Sequence, residues 1–322
     1  MGKKYDVTAL GELLIDFTSN GESAQGNPLF EANPGGAPCN ALAMLNRLGK
    51  KTNFIGKVGE DQFGRTLRDT LRELGIGTEN LMLDKDVHTT LALVHTFPDG
   101  DRDFSFYRKP GADMMLRADE VQEEQVAESR IFHFGTLSLT DQPVRDATIQ
   151  ALEYAKKHGV TVTFDPNLRP PLWDDLEEAK EQIWFGLSQC QAVKMSEEEL
   201  EFITGETDFD RGVAAVRERY DIPLICITMG KGGSRAYYKE LVVSREGFIQ
   251  EHTIETTGAG DTFCACMINY VLDHGLADVT EESLKEMLTF ANAAASLVTT
   301  RKGALRVMPT REEVEALIKE RS

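Results

Sequence analysis

The sequence predicts a doubly wound α/β fold: a mostly parallel sheet flanked by helices, with a small β-sheet lid standing apart from it. Three observations predict this. From Gly111 onward, short apolar runs alternate with stretches of helical period, the pattern of parallel strands joined by helical crossovers. Between about 81 and 113 that alternation gives way to short β-like runs around the turn Pro98-Asp99-Gly100-Asp101, as expected of a hairpin outside the main sheet. At 322 residues the chain can bury one large core. It therefore reads as one domain over 1–322, with a lid formed by about 12–30 and 90–110.

In chain order, Val7-Thr8-Ala9-Leu10 reads as a short buried strand ending at Gly11-Glu12, and Ile15-Asp16-Phe17 places an acid between apolar neighbours. Residues 18 to 34 are rich in Asn, Gly, Ser, Gln and Pro without a period, which predicts a loop or edge excursion. Pro38 suits a first helical turn, Leu42, Leu45 and Leu48 share a helical face, and Gly49 ends that helix. A strand follows over 52–58, then a helix carrying Phe63, Leu67, Leu71 and Leu74 and closed by Gly75. Beyond Gly111, strands are predicted at 131–135, 160–165, 192–194, 224–229 and 235–243. Helices are predicted at 143–157, 176–189, 197–204, 211–219, 261–272, 283–299 and 311–320.

Bulk properties exclude several functions. Lys and Arg number 35 against 53 Asp and Glu, a net charge of −18, which argues against nucleic-acid or anionic-membrane partners. Five cysteines, Cys39, Cys190, Cys226, Cys264 and Cys266, show no metal or disulfide spacing and read as reduced thiols of a cytoplasmic protein. No apolar run develops before Asp6, so no signal peptide is expected, and no apolar stretch approaches the ~20 residues that span a bilayer.

Glu255-Thr256-Thr257-Gly258-Ala259-Gly260-Asp261-Thr262-Phe263 carries the chemistry. A small-residue turn leads into an apolar helix, whose N-terminus offers unpaired N–H groups to an anion such as a phosphate. Two readings stand for Asp261: a helix cap, or a general base that deprotonates an alcohol attacking phosphorus. A P-loop kinase is excluded, because no Gly-x4-Gly-Lys-Ser/Thr occurs, and the absence of an early Gly-x-Gly-x-x-Gly argues against a dinucleotide-binding dehydrogenase.

The nonapeptide resembles the C-terminal signature of the ribokinase/PfkB family of sugar kinases, with Glu255 in place of the usual Asp. Further matches in family order are Gly35-Gly36-Ala37-Pro38-Cys39-Asn40, Gly56 to Gly64, Phe106-Tyr107-Arg108, Asp165 to Pro170, Thr228-x-Gly230 with Gly232-Gly233, and Thr300 to Ala304. They spread over nearly the whole chain and are most similar to the fructokinase form of the family. The resemblance implies a ribokinase-like fold and ATP-dependent phosphorylation of the 6-hydroxyl of fructose. It assigns Asp261 as base, with Gly258, Ala259 and Gly260 forming the anion loop. Asp16, Gly35, Gly36 and Asn40 are implied to bind the sugar, joined by Tyr107, Arg108 and Arg169. Lys194, Glu199, Thr228, Gly230, Gly233, Gly258, Asn292 and Ser296 are implied to serve the nucleotide. Mg²⁺ is implied on the ATP phosphates, and a K⁺ site at Glu255, Thr257 and Gly303.

Simpler readings stand beside these. An acid amid Leu14, Ile15 and Phe17 is costly without partners, which favours a role for Asp16 over a bare turn residue. Neighbouring strand residues point to opposite faces, so one of Tyr107 and Arg108 is expected only to pack. Glu199 also fits a solvated helix start, where the dipole favours acids. Asn292 and Ser296 also fit close helix packing. A 2-keto-3-deoxygluconate kinase is the alternative enzyme, because Tyr107, Arg108 and Arg169 can equally meet a carboxylate. A catalytically silent sugar sensor is the alternative outside catalysis. Lid-to-lid pairing makes a homodimer the expected assembly.

Overall fold

The computed structural model describes residues 2–96 and 102–321, so the expected turn at Pro98–Asp101 lies outside the described residues. The first half of the chain holds β1 (Tyr5–Leu10), β2 (Leu14–Glu22), β3 (Pro28–Gly35), α1 (Ala37–Arg47), β4 (Thr52–Gly59), α2 (Gln62–Glu73), β5 (Gly77–Asp84), β6 (Leu91–Thr96) and β7 (Arg102–Tyr107). Next come α3 (Glu123–Ala127), β8 (Ser129–Gly135), α4 (Val144–Lys157), β9 (Thr161–Asp165), α5 (Leu176–Gln189), β10 (Ala192–Ser196), α6 (Glu197–Thr204) and α7 (Phe209–Arg219). The last are β11 (Leu224–Thr228), β12 (Ser234–Tyr238), β13 (Leu241–Arg245), α8 (Ala259–His274), α9 (Glu281–Val298) and α10 (Arg311–Arg321).

Among the described residues, nine strands form the main sheet in the order β13-β12-β11-β10-β9-β8-β1-β4-β5. All its pairings are parallel except those of the edge hairpin β12–β13. Parallel strands covered on both faces must be apolar on both, and β4 is buried at every position. One core lies between the sheet and α1, α2, α8, α9 and α10, and a second lies against α3 to α7. Local signals start the helices as physical chemistry requires. Asp61 caps Gly64 N of α2, Asp175 caps Glu177 N of α5, and Ser196 with Glu199 forms a capping box on α6.

Two expectations are corrected, and one strand was not foreseen. Residues 18–34 are not a loop: β2 and β3 pair antiparallel, with Asp16 opposite Asn33 and Phe17 opposite Ala32. Their outer halves are exposed, so no apolar period betrays them. The segment 235–243 is two strands rather than one, turned at Lys239 (φ 49°) and Glu240. β5, beginning at Gly77, belongs to the main sheet rather than to the lid.

The second sheet has the order β3-β2-β6-β7. It leaves the main sheet directly after β1, because Gly11 to Leu13 carries the chain from β1 into β2. Since β1 has β4 on one side and β8 on the other, the connections diverge there. A crevice opens at the carboxyl ends of the strands, where open α/β sheets bind ligands.

Candidate active site

α8 begins at this crevice. Its N-cap is Gly258 in the left-handed region (φ 80°), and a Cβ there would sit 2.9 Å from Ala304 Cβ. Both facts demand glycine. The N-cap supplies no side-chain hydrogen bond, so the first-turn donors are left for something else. Ala259 N donates to Thr256 O at 3.2 Å, which removes it from the expected anion donors and leaves the N–H groups of Gly260 and Asp261.

Asp261 does not cap the helix. It is 9% exposed, and its Oδ2 accepts from Asn40 Nδ2 at 2.8 Å. Asn40 stands on the first turn of α1, which approaches so closely because of Gly35 and Gly36. Gly36 has φ 122°, and a Cβ on it would strike the Glu12 carbonyl; one on Gly35 would strike the Asp16 carboxylate. Asn40 Oδ1 is buried without a partner, an acceptor awaiting a donor such as a hydroxyl.

Two cavities meet at this point. One, of about 380 Å³, is lined by Glu12, Asp16, Asn40, Asn167, Arg169 and Asp261, with Phe106 and Leu137 as apolar walls. Groups that accept or donate hydrogen bonds on several sides, with an apolar plate, suit a polyhydroxylated ligand. The other, of about 250 Å³, is more apolar, with Phe248, Ile249, Phe263 and Ala295 beside Thr228, Gly230, Gly233, Asn292 and Ser296. Thr256 and Gly260 line both. The turn at the start of α8 is thus the partition between a polar chamber and a more apolar one.

The site resists negative charge. Burial pushes the Asp261 carboxyl upward, against the Asn40 hydrogen bond, Arg169 and Lys194, which favour its ionised form. Burial raises Asp16 to about 7 despite Arg169, with Glu255 and Asp261 adding to the rise. Lys194, 5% exposed, is paired with Asp165 at 3.2 Å. Burial works against its charge, but Asp165 and Glu199 hold it protonated. Its Nζ lies beneath Gly260, 3.2 Å from where a Cβ would stand.

The other expected residues fall into two groups. Gly35 lies behind Asp16, and Thr228, Gly230, Gly233, Asn292 and Ser296 line the apolar chamber. The Asn292 amide is occupied, accepting from Ser234 Oγ at 2.9 Å and donating to the Glu246 carbonyl at 3.1 Å, so a ligand meets its edge rather than its hydrogen bonds.

Four expectations are corrected. Tyr107 is 63% exposed and outside the polar chamber. Arg108 is 4% exposed, with Nε on Asp113 at 2.7 Å, Nη1 on Thr140 Oγ1 and Nη2 on the Leu137 carbonyl, so it braces the base of the second sheet. Strand alternation points Phe106 inward where Tyr107 points outward. Lys194 lines neither chamber, because its charge is consumed by Asp165. Glu199 lines neither either: its two oxygens accept from Leu168 N and Ser196 N, both at 2.8 Å, which fixes the loop carrying Asn167 and Arg169.

Glu12, Phe106, Leu137 and Asn167 are site residues that sequence reasoning did not single out. Glu12 carried a signal, an acid directly after a buried strand. Of the residues expected at a cation site, Glu255 Oε1 accepts from Gly303 N at 2.6 Å and Thr257 lies on the chamber wall. Among the described residues no cluster of three or more His, Cys, Asp or Glu side chains could hold a metal, and no helix is long and apolar enough to cross a membrane.

An apolar chamber and a polar one, joined by a helix N-terminus with free N–H groups and a buried carboxylate, fit a phosphotransferase acting on an alcohol. Comparison with known proteins agrees. Residues 4–311 match the pfkB family carbohydrate kinase model. Fructokinase-2 of Solanum lycopersicum is 39% identical over 315 residues, covering 97% of this chain and 96% of that protein. The structure of fructokinase with bound ATP from Xylella fastidiosa superposes with a TM-score of 0.88 at 31% identity, over 98% of this chain and 99% of that one. A double mutant of the Vibrio cholerae O395 fructokinase, in fructose-, ADP- and potassium-bound form, superposes with a TM-score of 0.86 at 28% identity, over 99% of each chain. The chain belongs to the pfkB family of carbohydrate kinases and has its ribokinase-like α/β fold.

The raised Asp16 predicts a pH signature. Its folded pKa of about 7 exceeds the ordinary 3.8, so the folded chain holds the proton more tightly than the unfolded one. Ionisation then opposes folding, and stability falls as pH rises between those values. Without sugar, Asp16→Asn should be more stable than the parent at about pH 8 and indistinguishable from it near pH 4 in denaturant unfolding. A gain of equal size at both values would contradict the shift.

Proposed function

We propose that the protein transfers the terminal phosphoryl of ATP to the 6-hydroxyl of fructose. The single observation that carries this reading is the position of Asp261 and Gly260 between the polar and apolar chambers. Fructose fits the first, with Asn40 Oδ1, Asp16 and Arg169 meeting its hydroxyls. Adenine fits the apolar wall of the second, which places the phosphates at the N-terminus of α8. Asp261 takes the proton of the attacking hydroxyl, and the N–H groups of Gly260 and Asp261 with the helix dipole receive the charge on the transferring phosphoryl.

The donor set bears on the metals. Without an acidic cluster among the described residues, Mg²⁺ would enter on the nucleotide phosphates, where it supplies charge neutralisation. K⁺ would be held by Glu255 and the backbone near Thr257 and Gly303, steadying the loop that carries Gly258. A 2-keto-3-deoxygluconate kinase is less well supported, because two of the three groups that suggested it, Tyr107 and Arg108, do not face the polar chamber.

The second sheet is proposed to act as a lid and, through Leu29, Phe30 and Tyr107, which expose apolar surface, to pair with a second copy. The five buried, unpaired thiols suit a cytoplasmic setting. Sedimentation should give a dimer that Phe30→Glu converts to monomer; a monomeric parent would discard the pairing.

ATP turnover should be fastest on fructose among fructose, 2-keto-3-deoxygluconate, ribose, glucose and adenosine. It should stop with chelator and slow when K⁺ is replaced by tetramethylammonium. A tenfold advantage in kcat/KM for another sugar, ~1.4 kcal/mol, would reject the substrate. Asp261→Asn should keep its bond to Asn40 and its fold, bind fructose and ATP within a few-fold, and lose roughly 10²–10⁴ in turnover. Near-normal kcat in that variant would refute the base.

A further inference from the structure

Behind Asp261 lies a third cavity, of about 10 Å³, room for one water. Its wall includes Glu12, His133, Asp165, Asn167, Asp261 and Cys264. Glu12 and Asp261 also line the polar chamber, so the two residues border the same two spaces. Glu12 sits in the turn after β1, 4% exposed, with Oε1 accepting from Ala37 N at 2.7 Å. That bond satisfies the start of α1, a task a neutral amide performs equally well. The reaction above makes no use of the acid, although burying a carboxyl is costly.

The proton that Asp261 takes from the sugar must leave before the next turnover, while bound sugar and nucleotide cover the direct way out. We propose that one water in this cavity bridges Asp261 and Glu12, and that Glu12 is the acceptor at the end of this proton relay. The protonated Asp261 donates to the water, the water donates to the Glu12 carboxylate, and Glu12 releases the proton to solvent when product leaves. No bond to carbon or phosphorus changes in these steps. The inference rests on the sugar-kinase reading.

The surroundings support the direction of transfer. Burial raises Glu12 to about 7, with Asp113 adding to and Arg108 opposing the rise, so it accepts and releases a proton near neutrality. Asp261 is faced by Arg169, Lys194 and Glu199. Asp165, also on the cavity wall and likewise raised by burial, is ion-paired with Lys194 at 3.2 Å, so a proton delivered to it would break that pair, whereas Glu12 has no such partner to lose among the described residues. His133 is held neutral, pushed by burial to about 4, and the Cys264 thiol is raised by burial, so neither competes.

Glu12→Gln keeps an oxygen for Ala37 N but cannot take the proton. With fructose and ATP, rapid-quench single turnover should stay within about twofold of the parent while steady-state kcat falls about tenfold. The slow phase should slow further in D₂O. An unchanged kcat, an equal fall in both measurements, or a slow phase indifferent to D₂O would each overturn the relay. Should Glu12→Gln fail to fold, Ala41→Val fills the same cavity from α1 with Glu12 intact, and should give the same burst and slow phase; unchanged kinetics would overturn the proposal. Single turnover by the parent tests the fructose reading separately, so the two can fail independently.

Discussion

One hydrogen bond joins the parts on which the site depends: Asn40 Nδ2 to Asp261 Oδ2, across 221 residues of sequence. It can form only if α1 and α8 both begin at the same crevice. The start of α1 is fixed by Gly35 and Gly36, which admit Asp16 and the Glu12 carbonyl at close range, and by Pro38 in the first turn. The start of α8 is fixed by Gly258, the residue type that tolerates its backbone and its proximity to Ala304. The second sheet issues from β1 and returns through β3 into α1, so the residues that roof the polar chamber are tied to the same bond. A preorganised carboxylate is what a general base requires, and this geometry holds it with the anion donors on the same turn of helix.

Electrostatics sets the second constraint. A chain of net charge −18 has to attract a nucleotide and gather several carboxylates around it. Local features do this against the overall field: the open N–H groups of α8 and Arg169 on the chamber wall. The cost is visible in Glu12, Asp16 and Asp165, each raised to about 7 by burial. Ionisation of these groups opposes folding above the ordinary carboxylate range. Buried cations elsewhere serve the frame. Lys57 is spent on Asp84 and Glu120, and Arg108 on Asp113, so neither is available to an anionic ligand.

Sequence alone determined the fold class, the α/β alternation after Gly111, the helix spans 176–189 and 197–204, and the anion loop with Asp261, because these rest on local period, caps and glycine placement, which act within a few residues. It also pointed to Asp16, Asn40 and Arg169 as chemistry-bearing groups. Only the tertiary structure decided which candidates meet. Strands β2 and β3 were legible only as part of a lid over about 12–30, and their bounds were not, because their outer halves face solvent and owe their form to pairing rather than to a buried period. Tyr107 and Arg108 looked like ligands by type, but the facing of one strand and the buried partner Asp113 exclude them, and neither fact is written locally. Glu199 and Lys194 were visible as charges, whereas their partners, Leu168 N and Asp165, lie 31 and 29 residues away. The same holds for Glu12, whose partner, Ala37 N, lies 25 residues on. A side chain's type is carried by sequence; its partner across the crevice is decided by packing.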